Sequence, residues 1–200
     1  MIKKPENSIN LKPFNMEFEP CPDSNYIKLH RVSYEQDGRR KSWDFIKVHD
    51  SVAVLLADKE REELILVRQF RPPVYMREGT GITYELCAGI TDKELPLEEI
   101  AREEILEETG YNVETEDIHK INSFYTAVSF AGSRQTLFYA EVNDNLLQGE
   151  GGGIGNEKIE VIRLPFSEIE NFMFDETKPK TPGLLFALIW FKRQRDTGRK

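Results

Sequence analysis

Apolar and polar residues alternate through residues 26–48, a stretch rich in aromatic side chains, and Asp37-Gly38 breaks the alternation near its middle. A period of two marks a half-buried strand, and Asp-Gly readily takes the positive backbone angles of a tight hairpin. A small N-terminal β unit is therefore expected. Two short apolar runs, 52–56 and 64–67, flank a charged tip from Asp58 to Glu63 and predict a second antiparallel hairpin, ended by Pro72-Pro73. Further strand candidates lie at 84–87, 121–125, 136–142 and 159–164. Helical patterns occupy 96–109, 167–173 and 183–194; the first has a proline near its start and Gly110 just past its end, the usual asymmetry of helix termini. No internal repeat is visible. Glycines at 149, 151, 152, 153 and 155 make residues 148–156 too permissive for a strand interior, so a mobile loop is expected there. Their spacing matches neither the phosphate loop of nucleoside triphosphatases nor the dinucleotide fingerprint.

The helix at 96–109 carries the chemistry. At about 100° per residue, Leu97, Ile100, Ala101 and Ile105 share one side, while Glu98, Glu99, Arg102 and Glu103 point elsewhere. Glu104, Glu107 and Glu108 stand in the i, i+3, i+4 relation and project on nearly the same side as the apolar stripe. A run of glutamates can be a solvated helical face, but this phase turns the cluster inward. Two carboxylates about 6 Å apart repel by roughly 3 kcal/mol at an effective dielectric near 20, so such a cluster calls for a cation. Hard oxygen ligands without a cysteine or histidine pair favour magnesium, manganese or calcium over zinc, with magnesium first because it also binds phosphate.

Composition narrows the partners. The chain has 200 residues, 39% of them hydrophobic, enough for a real core, and a formal net charge of −8. That field repels polyanions, so broad nucleic-acid binding is not expected and a phosphorylated substrate must be met by local arginines or metal. The N-terminus carries Lys3 and Lys4 without the apolar core of a secretory signal, and the longest apolar run, 184–191, is too short to span a bilayer. No membrane partner is expected, and a cytoplasmic location is. Cys21 and Cys87 sit in no metal-like or redox spacing and read as unpaired thiols of a reducing compartment. His30, His49 and His119 are too scattered for a zinc centre or a triad.

Residues 89–111, GITDKELPLEEIAREEILEETGY, resemble the Nudix box: glycine, five residues, glutamate, seven residues, then REUXEEXGU with U aliphatic or aromatic. The interval from Gly89 to Gly110 fits without a gap. Glu104, Ile105, Glu107, Glu108, Gly110 and Tyr111 match, whereas Leu95 and Glu103 replace the first glutamate and the arginine. Those two departures remove a pair that usually helps hold the loop on the helix. The resemblance extends through Leu66-Val67-Arg68-Gln69-Phe70-Arg71-Pro72 and Tyr84-Glu85-Leu86-Cys87-Ala88-Gly89 to the branch that hydrolyses ADP-ribose and UDP-sugars. Residues 132–139 and 179–183 look most like UDP-sugar diphosphatases, and residues 125–130 lack the proline usual in ADP-ribose enzymes.

The resemblance implies a Nudix α/β/α sandwich around a mixed β-sheet, of the α+β or α/β class, over residues 49–200. A small N-terminal antiparallel β unit, residues 1–48, would precede it and serve dimerisation and substrate contact in a homodimer. It implies Glu104 and Glu108 as principal metal ligands, Glu107 as a further ligand or a group that supports the ligands from behind, and the Ala88 carbonyl as an additional oxygen. Magnesium is the expected ion, with manganese as the substitute. Arg71, and behind it Arg68, Glu85 and Arg134, would contact substrate. The glycine-rich loop leads to Glu157 and Glu160, either of which could serve as the general base; Glu157 is preferred, and Glu108 is counted with it in the catalytic set. The expected reaction is hydrolysis of the pyrophosphate bond of a nucleoside-diphosphate sugar, UDP-glucose or ADP-ribose in type, to two monophosphates. A non-catalytic sensor of such ligands is the alternative, and a calcium- or RNA-cap-binding module ranks last because neither EF-hand spacing nor a basic face is present.

Overall fold

The computed structural model describes residues 10–198 apart from 12, 25 and 26. The polar stretch 1–9 with Lys3 and Lys4, and Tyr26 at the start of the expected β unit, lie outside the described residues.

The N-terminal hairpin consists of β1 (Lys28–Gln36) and β2 (Arg39–Lys47), antiparallel in continuous register, with Asp37 and Gly38 both at positive φ in the turn. It forms its own two-stranded sheet. It touches the rest of the chain through the Trp43 indole N–H, which donates to the Ser129 carbonyl at 2.7 Å, and the Ile46 N–H, which donates to the Phe130 carbonyl at 2.7 Å.

The second sheet has seven strands and is mixed. Its centre is β3 (Ser51–Asp58), whose interior is wholly buried and which runs parallel to β8 (Arg134–Glu141). β7 (His119–Tyr125) lies antiparallel on the far side of β8. β4 (Glu63–Phe70) returns from β3 as the predicted hairpin, but the two pair only near the turn, from Leu56 opposite Ile65 to Asp58 opposite Glu63. Beyond that point they part. The chain after Pro72-Pro73 makes a short helix, α1 (Pro72–Glu78), and then a segment expected as one strand proves to be two. β5 (Ile82–Glu85) pairs with β4, and β6 (Cys87–Ile90) pairs with β3, the crossing made at Leu86. Backbone groups left open where β3 and β4 diverge thus find partners on one continuous segment. β9 (Ile159–Pro165) lies antiparallel to β4, from Glu63 opposite Pro165 to Gln69 opposite Ile159.

Helices cover both faces, giving the open sandwich expected of the Nudix fold. α2 (Leu97–Thr109) starts at Pro96, places Glu98 and Glu99 in its first turn where they suit the positive end of the dipole, and stops at Gly110 with φ 79°. Ile100, Ala101 and Ile105 are buried against Val52, Val54, Leu56 and Phe138 of the sheet. Each buried aliphatic side chain contributes about 1.5–3 kcal/mol. On the opposite face α3 (Ile169–Phe174) and α4 (Pro182–Thr197) pack Phe172, Leu184, Leu188 and Phe191 onto Leu55, Leu66, Leu137 and Ile162. The Thr181 hydroxyl accepts from the Leu184 N–H and caps α4. Cys21 and Cys87 are both free thiols.

Candidate active site

A cleft of about 380 Å³ opens where β3 and β4 separate, and Glu104, Glu108, Glu157, Arg71, Glu85 and Ala88 all line it. These residues come from three elements, α2, β5 and β6, and from the two segments that carry Arg71 and Glu157. The apolar stripe of α2 dictates the first two: once Ile100 and Ile105 enter the core, Glu104 and Glu108 are carried to the edge of the same face. Gly89 in β6 permits their close approach, since a Cβ there would lie 1.9 Å from the Glu104 Oε1 atom.

The electrostatics are those of carboxylates taken out of water. Glu108 is buried, and the Ala88 N–H donates to it at 3.0 Å. Burial pushes its carboxyl up to about 8; the Ala88 N–H and the Cys87 thiol restrain the rise, and the charges of Glu104 and Glu157 add to it. Glu104 is pushed up to about 7, by burial first and then by the charges of Glu107 and Glu157, against the pull of Lys93. Opposite stands Arg71, whose Nε and Nη2 atoms donate to the two carboxylate oxygens of Glu85 at 2.9 and 2.7 Å. Burial alone would raise Glu85, but the paired bonds and charge of Arg71, with the Thr83 hydroxyl, hold it below the usual carboxylate range. Arg71 keeps nearly half its side chain exposed and can meet an anion as well.

A divalent cation suits this donor set: two carboxylates that resist ionising side by side, a third nearby, and no sulfur or imidazole in the lining. Among the described residues no three Asp, Glu, His or Cys side chains already stand together as a metal group. A cation held here would therefore have to draw the carboxylates together.

The glycine-rich loop is not the free segment expected. The Gly152 and Gly153 N–H groups donate to the carbonyls of Glu108 and Glu107 at 2.9 and 3.0 Å, and the Gln148 N–H donates to that of Gly110 at 2.8 Å. The loop thus satisfies carbonyls that the last turn of a helix leaves without partners. Its composition follows from this approach. A Cβ on Gly151, at φ +68°, would meet the Glu108 carbonyl oxygen at 2.4 Å, and one on Gly110 would meet the Gly149 oxygen at 2.1 Å. The loop then turns so that the Glu157 carboxylate accepts from the Ile154 N–H at 3.0 Å at the cleft wall.

Several expected residues stand elsewhere. Glu107 does not line the cleft, although its charge reaches Glu104 and its backbone carbonyl anchors the loop. Arg68 and Glu160 face each other across β4 and β9 and form a buried ion pair on the α3/α4 side of the sheet. Neither lines the cleft: strand alternation sends 69 and 71 to one face and 68 to the other. Glu160 is thus displaced as the alternative base, and Arg68 as a cleft arginine. Arg134 has an exposed side chain outside the lining; its backbone N–H is held by Asp50 at 2.8 Å. Sequence reasoning missed Ser51, Gln69 and Gln135, which line the cleft as polar ends of otherwise apolar strands. It also missed Lys93, which pairs with Glu103 and ties the loop to α2 in place of the pair that Leu95 and Glu103 remove. Both partners are partly exposed, so the tie is weak.

Comparison with known proteins agrees with the geometry. No family model matches the chain. The uridine diphosphate glucose pyrophosphatase of Bos taurus is 39% identical, over 86% of this chain and 90% of its own length. The enzyme of the same name from Mus musculus is 38% identical, over 87% and 91%. A GDP-mannose pyrophosphatase of Cronobacter sakazakii is 36% identical, over 72% and 77%. Identity of this order along most of both chains makes this chain, whose own box residues gather around one cleft, a member of the Nudix hydrolase family.

Proposed function

We propose that the chain hydrolyses the pyrophosphate bond of a nucleoside-diphosphate sugar, UDP-glucose before ADP-ribose, to a nucleoside monophosphate and a sugar phosphate. One observation carries the reading: Glu104, Glu108 and Glu157 share a cleft with Arg71. The names of the relatives, two UDP-glucose pyrophosphatases and a GDP-mannose pyrophosphatase, support the substrate class and disfavour a non-catalytic sensor.

Glu104 and Glu108, with Glu107 turned inward and the Ala88 carbonyl, would hold magnesium or, in its place, manganese. A bound divalent ion supplies neutralisation of phosphate charge and a more acidic water. The protein's own residues do the rest. Arg71, fixed by Glu85, presents its guanidinium to a phosphate oxygen and fixes the diphosphate in the cleft. Glu157 takes the proton of the attacking water as the new P–O bond forms, and the bridging P–O bond breaks with its electron pair leaving on the second phosphate. The loop bonds to α2 keep Glu157 at the cleft wall.

The chain also acts, in this proposal, as a cytoplasmic homodimer whose β1–β2 hairpin contributes to the partner's substrate cleft. An isolated two-stranded hairpin is marginal in water, and this one exposes Leu29, Val32, Tyr34 and Trp43. No helix among the described residues is long and apolar enough to cross a membrane.

The test is a panel of UDP-glucose, GDP-mannose, ADP-ribose and dinucleoside polyphosphates assayed for monophosphate release with magnesium or manganese. UDP-glucose should be cleaved best, and loss of all activity in chelator is expected. Tight binding of UDP-glucose without any monophosphate released would overturn the hydrolytic reading, and a monomeric sedimentation profile at micromolar concentration would overturn the dimer.

A further inference from the structure

A second cleft, about 740 Å³ and so larger than the catalytic one, lies at the other end of the sheet. Tyr139, Phe166, Trp190 and Phe191 form its apolar wall, and Lys59 and Arg195 stand at its rim. None of these residues belongs to the catalytic cleft. β8 separates the two: Gln135 lines the catalytic cleft and Tyr139 and Glu141 line this one, and strand geometry puts their ends roughly 15–20 Å apart.

We propose that this cleft is a non-catalytic binding site for a nucleoside monophosphate. The aromatic wall selects a planar ring. Tyr139 and Trp190 meet at 5.3 Å with their planes 55° apart, tilted and not stacked, and Trp190 stays partly exposed, so its indole remains open to a base. The rim selects an anion. Three Lys or Arg residues line the cleft against two glutamates, with His119 beside them, in a chain whose net charge is −8. Lys59 pairs with Glu141, and the Arg195 Nη2 atom lies 3.5 Å from the Glu62 carboxylate. All four side chains are about half exposed or more, so these pairs are weak and a phosphate dianion can compete for both cations. Arg195 is already placed, its guanidinium 4.6 Å above the Phe166 ring. A volume of this size is ordinary for a small-molecule site, and an aromatic body with a few convergent charges is the usual form of one.

Trp190 is one of two tryptophans in the chain, so a Trp43→Phe background makes it the sole reporter. Uridine monophosphate titrated into that protein in chelator should quench Trp190 fluorescence saturably, with no turnover required. Quenching should persist in Arg71→Ala and weaken about tenfold or more in Lys59→Glu and in Gln194→Glu. The second of these adds one negative charge on the surface of α4 and guards against a folding defect, which circular dichroism would reveal. Uridine and ribose 5-phosphate, each lacking half of the ligand, should bind at least about tenfold more weakly. The proposal is overturned if no saturable change occurs up to millimolar ligand, if uridine equals uridine monophosphate, or if Arg71→Ala abolishes the signal while both cleft variants keep it.

Discussion

Replacing Glu108 with glutamine should make the protein more stable in mild alkali and nearly inactive. Burial, with Glu104 and Glu157 adding to it, raises the Glu108 carboxyl from 4.5 to about 8. Because the folded-state value lies above the unfolded one, folding takes up a proton between these values. The favourable contribution is complete below about 4.5 and is lost as pH rises through about 8. At about 1.4 kcal/mol per decade, the cost of the ionised form at pH 8 is on the order of 4 kcal/mol, an upper bound because water entering the cleft screens part of it. Glutamine does not ionise and keeps an oxygen for the Ala88 N–H. In chelator at pH 8 the variant should therefore gain about 2 kcal/mol, roughly 4–8 °C in Tm for a domain of this size, and at pH 5 less than about 1 kcal/mol. Turnover of UDP-glucose at saturating magnesium should fall about 100- to 10,000-fold, on the order of 3–5 kcal/mol of transition-state stabilisation. Thermal unfolding at both pH values and coupled detection of released monophosphate measure the two effects. A variant less stable than the parent at pH 8 without metal would refute the burial argument, and unchanged turnover would refute the role of the carboxylate.

Gly89→Ala places a methyl on the Glu104 carboxylate, a flexible neighbour that can move aside; melting should drop by no more than about 1 kcal/mol while kcat falls at least about tenfold, and equal losses in both would contradict it. Arg71→Ala should raise KM more than it lowers kcat and cost about 1–3 kcal/mol of stability by leaving buried Glu85 without its partner, with Arg71→Lys restoring stability in part; steady-state kinetics and urea melts decide. Arg163 donates to the Tyr111 hydroxyl at 2.8 Å and stands 3.9 and 4.0 Å from the buried carboxylates of Asp58 and Glu63, so Arg163→Leu should destabilise by about 1–3 kcal/mol with turnover per folded molecule unchanged. Partial recovery on adding Asp58→Asn would confirm the cause, and a neutral single variant would remove it.

Periodicity made the hairpins and α2 legible because each is governed by its own residues: Asp37-Gly38 at a turn, Pro96 and Gly110 at helix ends, and the phase that carries Glu104 and Glu108 with Ile105. The break at Leu86 was not legible, since it is decided by β3 and β4 diverging roughly twenty to thirty residues earlier. Alternation separates Gln69 from Arg68 and Ile159 from Glu160, but a strand pattern alone does not say which face α2 will cover. Nor does glycine content say whether a loop is loose: at 151 it reflects contact with the carbonyl end of α2. The cleft carboxylates Glu104 and Glu108 were found through the box, whereas the cleft at Trp190 has no motif and arises from the packing of α4 on β7 and β8.

The parallel partner of β3 arrives late in synthesis, Gln135 following Ser51 by 84 residues. A ribosome that has released β3 and β4 has therefore exposed one flank of the most apolar strand in the protein long before β8 can cover it. Such an unpaired edge is a template for association between nascent chains. Chains stalled ahead of residue 134 should consequently depend on a holding chaperone, and those stalled well beyond residue 141 should not.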